Sequence, residues 1–147
     1  MSENENKAIV HFAADDFFIG ITPSGHAQAI ETDSKRSSAA TPMELLLVAL
    51  GSCTGVDVVS ILKKKRQEIS AYRIEVTGER RADFPRSYTR LLVKHIVSGR
   101  GVSKQAVASA IELSDKKYCS VAATLRGSAE IVSSYEIVEE DRANDSA

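Results

Sequence analysis

The segment from Thr41 to Arg66, "TPMELLLVALGSCTGVDVVSILKKKR", constrains the fold more than any other part of the chain. Thr41 stands at an N-cap position, Pro42 at the first helical position and Glu44 at the third, which is the pattern of a capping box. The basic residues at 63–66 sit where a helix C-terminus favours cations. The spacing predicts a helix over 42–66, about 37 Å long if unbroken, with Gly51 and Gly55 as points of bending. Its first half has no polar face, so other elements must cover it. Two residues in its middle stand out for their chemistry: Cys53, and Asp57 one turn later.

The flanking segments supply the cover. Residues 7–13, 17–21 and 26–32 have the β-branched and aromatic content of short strands, with "TPSG" at 22–25 as a tight turn. Residues 32–40 read as a polar loop. After the helix, 71–81 and 87–99 read as two longer strands joined by "ADFPR". On the second of these, Leu91, Val93 and Val97 share a face with His95, which reads as a strand residue with its hydrogen bonds met. Ser103 caps another helix, in which Ala106, Val107, Ala110 and Ile111 fall at helical spacing. That pattern breaks near Cys119, and 128–138 is a final strand. The order β-β-β-α-β-β-α-α-β makes an α+β fold, antiparallel strands wrapped around an apolar helix, in a single domain over 1–147 ordered from about 7 to 139.

Composition narrows the partners. A formal net charge of -1 and the absence of Trp give no electrostatic or stacking reason to expect nucleic acid or an acidic membrane. The N-terminus lacks a basic start and a long apolar run, and the longest uninterrupted apolar stretch, 45–50, is far below the roughly 20 residues of a span. A cytoplasmic location follows as the expectation, with both cysteines reduced.

For Cys53 the residues alone leave two roles open, an inert core residue or a reactive thiol. Cys119 follows Lys116 and Lys117 and opens "SVAATL", a helix start; cations and a helix N-terminus both favour a thiolate there if it is accessible. The two cysteines lack the close pairing of zinc sites, so no metal is expected, and no dinucleotide, P-loop or hydrolase motif calls for a cofactor.

"TPMELLLVALGSCTGVDVVSIL" and "LSDKKYCSVAATL", in that order, resemble the two cysteine-bearing segments of the OsmC/Ohr superfamily, closest to its OsmC-like branch. "SGH" at 24–26, "GERR" at 78–81 and "SYEIV" at 134–138 extend the likeness over about 8–138. The resemblance implies an OsmC-like fold in an intertwined homodimer, with sites built across the subunit interface. It implies a thiol-dependent peroxidase: Cys53 attacks an organic hydroperoxide, Cys119 condenses with the resulting sulfenic acid, and a dithiol reductant, lipoyl-type among the possibilities, restores both. It also implies an Arg held by a Glu beside the thiolate. Aligned on Pro42 and Cys53, the Glu position holds Met43, with Glu44 one place later. Before Lys35 the only basic side chain is Lys7, and Arg36 is the first arginine, so Arg80, Arg81 and Arg86 become the candidates. The alternative is an OsmC-like redox sensor or small-ligand binder without efficient turnover; a third reading makes both cysteines core filler.

Overall fold

The computed structural model describes residues 5–32 and 35–141 and divides at Leu46/Leu47 into two compact units. In the first, β1 (Ile9–Ala14), β2 (Phe17–Ile21) and β3 (Ala27–Glu31) form an antiparallel meander in that order. The "TPSG" turn is closed by Gly25 N–H donating to the Thr22 carbonyl at 2.9 Å, with Gly25 at φ +87°, a conformation that glycine adopts without strain. The loop after β3 folds back: Glu31 N–H donates to the Ala40 carbonyl at 3.1 Å.

The long helix, α1 (Pro42–Lys64), begins at the expected cap and ends two residues earlier than expected. Its capping box is made on both sides: Thr41 N–H donates to Glu44 Oε1 at 2.9 Å, and Glu44 N–H to Thr41 Oγ1 at 3.2 Å. By length and composition α1 would suffice to cross a membrane, although no single apolar run in it does. Here it is a core helix, with Leu50, Thr54, Val58 and Leu62 buried.

In the second unit, β4 (Glu68–Arg80) and β5 (Tyr88–Arg100) pair antiparallel, and β6 (Glu130–Glu139) joins β5. The β5–β6 pairing is parallel, so this sheet is mixed where an antiparallel one was expected. The reason is the connection: α2 (Lys104–Leu113), a π-helical turn (Ser114–Tyr118) and α3 (Ser120–Leu125) carry the chain back to the start of β5, as a parallel crossover requires. Val58 and Leu62 of α1 pack with Val97 of β5 and with Val107 and Ile111 of α2. Each such side chain contributes about 1.5–3 kcal/mol when fully buried.

The helix runs unbroken through Gly51 and Gly55. They let it approach β4: a Cβ on Gly51 would stand 3.1 Å from a Val76 methyl, and one on Gly55 3.4 Å from the Tyr72 ring.

Candidate functional site

The second unit brings its two thiols together. Cys53 lies on α1, half-buried; Cys119 is buried at the junction between the π-helical turn and α3, and both are free thiols. Cys119 lies 3.3 Å from the hydroxyl of Thr54, the residue next to Cys53 on α1, and the Cys53 thiol is near enough to act on it electrostatically.

Cys119 is fixed from several directions. Its N–H donates to the Ser114 carbonyl at 2.9 Å, closing the π-helical turn. Its sulfur caps α3, accepting from Ala122 N–H at 3.3 Å, and lies 3.3 Å from Thr54 Oγ1. The start of the turn is pinned twice. Buried Ser114 donates its hydroxyl to Asp57 Oδ2 at 2.9 Å, and Ser133 of β6 donates to Asp115 Oδ2 at 2.6 Å. Single π turns inside helical segments are frequent at functional sites.

The electrostatics of Cys119 differ from the expectation. Burial pushes its thiol up, against the lowering effect of Thr54 and of the Ala122 N–H; the neighbouring Cys53 raises it further. The lysines do not help. Lys116 pairs with Glu112 at 2.6 Å in the open, and Lys117 lies over the Tyr118 ring. Cys119 is therefore a neutral thiol at rest, and the half-buried Cys53 is the more accessible of the two.

His95, Leu91, Val93 and Val97 are all buried, as the shared face requires. His95 Nδ1 is 2.6 Å from the Tyr72 hydroxyl, but Nε2 has no partner among the described residues, so its hydrogen bonding is only half met. Burial lowers its pKa to about 4, with Asp115 pulling weakly the other way. Burial also raises Tyr72.

The remaining predicted residues stand elsewhere. Glu44 is engaged in the capping box, about two and a half turns before Cys53 on α1. The Thr41 N–H and then its hydroxyl lower the carboxyl. Arg80 donates from Nε to the Arg86 carbonyl at 2.7 Å and lies 5.9 Å from the Tyr88 ring centroid. Arg86 covers Phe84, and Arg81 is exposed, its N–H donating to the Ser87 carbonyl at 3.0 Å. Arg80 ends β4, and Arg81 and Arg86 lie in the connection to β5. Arg80 is about 13 Å along β4 from Val76, the residue nearest Gly51.

Two features escaped the sequence reading. One is the set of polar partners around the π-helical turn: Thr54, Asp57, Ser114, Asp115 and Ser133. The other is an Arg–Glu pair in the first unit, where Arg36 Nε donates to Glu31 Oε1 at 2.7 Å. Glu31 is buried and also accepts from the Ser38 hydroxyl and from Ser38 N–H at 3.2 Å; the hydroxyl and then Arg36 hold its carboxyl down. Among the described residues, no cluster of His, Cys, Asp and Glu is arranged to hold a metal ion.

Two sheets, a long apolar helix carrying one thiol and a crossover carrying its neighbour define a small thiol-bearing protein of mixed α/β class. The OsmC-like protein family matches residues 33–134, and the chain belongs to that family. It is 43% identical over 121 residues to protein YhfA of Escherichia coli K12, covering 82% of this chain and 90% of YhfA. Among solved structures, a hypothetical protein from Aquifex aeolicus VF5 superposes with a TM-score of 0.83 at 34% identity, covering 94% of this chain and 99% of that one. The organic hydroperoxide resistance protein OhrB of Bacillus subtilis shares the fold, with a TM-score of 0.63 at 13% identity over 92% of this chain and 100% of its own.

Proposed function

We propose that this protein is a thiol-dependent peroxidase that reduces organic hydroperoxides, with Cys53 as the attacking thiol and Cys119 as its resolving partner. The observation that carries this reading is the nearness of a half-buried thiol to a buried one, which lies 3.3 Å from the hydroxyl of the next residue on α1. In the first step the Cys53 thiolate takes the terminal oxygen of the hydroperoxide. The O–O bond breaks, the alkoxide leaves and is protonated to the alcohol, and Cys53 becomes a sulfenic acid. In the second, the Cys119 sulfur attacks that of Cys53. The S–O bond breaks, an S–S bond forms, and hydroxide leaves with the thiol proton as water. A dithiol, lipoyl-type or another, then reduces the disulfide and is itself oxidised.

The working form in this reading is a homodimer. Val48 and Val56 on α1 are 66% and 69% exposed, beside a groove of about 560 Å³ lined by Gly51, Gly55, Val59, Tyr72 and Ile74. A second copy is the occupant that suits this apolar surface, and such a copy is also the means by which Arg80 or Arg81 would reach a neighbouring Cys53. A cytoplasmic setting, with its reducing poise, suits two free thiols.

Steady-state consumption of cumene hydroperoxide with dihydrolipoamide tests the proposal. Turnover is expected, lost in Cys53→Ser; in Cys119→Ser, Cys53 is expected to run on to the sulfinic acid. No turnover with any alkyl hydroperoxide and dithiol would overturn it. The engagement of Glu44 in its cap and of Arg80 in the hairpin favours a second reading, a redox sensor or ligand binder that oxidises stoichiometrically without recycling.

A further inference from the structure

We propose that Thr54 activates the buried thiol of Cys119 for closing the disulfide, its hydroxyl hydrogen-bonding the sulfur that must become nucleophilic. This rests on the Cys53/Cys119 peroxidase reading and assigns the residue that drives its second step.

Thr54 is 1% exposed on α1. A helical Ser or Thr hydroxyl commonly turns back to the carbonyl one turn earlier, as Ser52 does to the Val48 carbonyl at 2.8 Å. The Thr54 hydroxyl is instead 3.3 Å from the Cys119 sulfur, the one partner found for it among the described residues. From another side the Ala122 N–H is aimed at the same sulfur, also at 3.3 Å. The Ala122 N–H donates to this buried atom, and the Thr54 hydroxyl, which can give or accept while Cys119 keeps its proton, becomes a second donor once that proton leaves.

A thiol sulfur is a weak acceptor, whereas hydrogen bonds to an ionised acceptor are about twice as strong as neutral ones. Both contacts therefore strengthen as the proton leaves Cys119, and they stabilise the closing transition state more than the resting thiol. Burial keeps Cys119 neutral until then, which leaves peroxide attack to Cys53. In the closing step the proton leaves Cys119 for the departing hydroxide of the Cys53 sulfenic acid. The Thr54 hydroxyl donates to the sulfur as charge builds on it and is released once the S–S bond has formed. Ala122 supplies a backbone donor that substitution cannot remove, so Thr54 is the part of this arrangement open to test.

The experiment is a single turnover with cumene hydroperoxide, quenched with an alkylating agent and read by mass spectrometry, giving the rates of sulfenic acid formation and of disulfide closure. In Thr54→Val, or Thr54→Ala as a second hydroxyl-free variant, the ratio of closing rate to sulfenic acid formation is expected to fall about tenfold or more. The rise of closing rate with pH is expected to move to higher pH. Thr54→Ser is expected to restore both. A wild-type ratio and pH profile in the hydroxyl-free variants, or a Thr54→Ser as slow as Thr54→Val, would overturn the proposal. If the unsubstituted protein forms neither sulfenic acid nor disulfide, the peroxidase reading itself fails, and this assignment with it.

Discussion

Replacing His95 by leucine should remove most of the acid sensitivity of folding that arises in the core of the second unit. His95 is fully buried, and its pKa in the folded protein is about 4. In the unfolded chain an imidazole titrates near 6.5. Between those values the unfolded state binds a proton that the folded state does not, so stability falls as pH falls through this window. At pH 4.5 the loss relative to pH 7.5 is about 2.5 kcal/mol from this one residue. Urea denaturation at fixed protein concentration, at pH 7.5, 5.5 and 4.5, measures it. Carboxylates contribute in the same direction to both proteins, so the quantity to read is the difference in pH dependence between them. His95→Leu orphans the Tyr72 hydroxyl and lowers stability at every pH, without contributing to that difference. A variant whose stability falls with pH as steeply as the unsubstituted protein's, to within about 0.5 kcal/mol, would refute the argument that His95 is held neutral by burial.

Thr41→Ala should cost about 1 kcal/mol, since it removes the side-chain half of the capping box at α1, and thermal unfolding would show it. Gly99→Ala should destabilise more, by about 1–3 kcal/mol or beyond, because its Cβ would meet the Glu68 carbonyl oxygen at 2.0 Å and the two strands would have to part; an unchanged melting temperature would contradict the close strand approach.

The parts of this fold legible in the sequence were those written locally. Thr41, Pro42 and Glu44 announce the start of α1 because a cap is a contact between near neighbours. The alternation of Leu91, Val93, His95 and Val97 announces a buried strand face. The direction in which β6 pairs is not written in β6: alternation reads the same in a parallel as in an antiparallel strand, and only the crossover decides. Glycines in a helix read as bends, yet Gly51 and Gly55 mark a close approach to β4, which depends on a partner distant in sequence. At the candidate site, both cysteines stood out by residue type and by resemblance. The environment of Cys119 did not. Lys116 and Lys117 adjoin it in sequence but turn to Glu112 and Tyr118, while the π-helical turn carries the sulfur inward to Thr54. The same limit hid Glu31, which reads as the polar end of a strand. It is buried because Arg36 and Ser38, in a segment that reads as open loop, fold back onto it.

The most direct measurement is mass spectrometry of the intact, then digested, protein after one equivalent of cumene hydroperoxide, with no reductant present. Loss of two hydrogens and a single cross-linked peptide pair joining Cys53 to Cys119 is the predicted result. Two unmodified thiols, or oxygen accumulating on Cys53 beside a free Cys119, would contradict it.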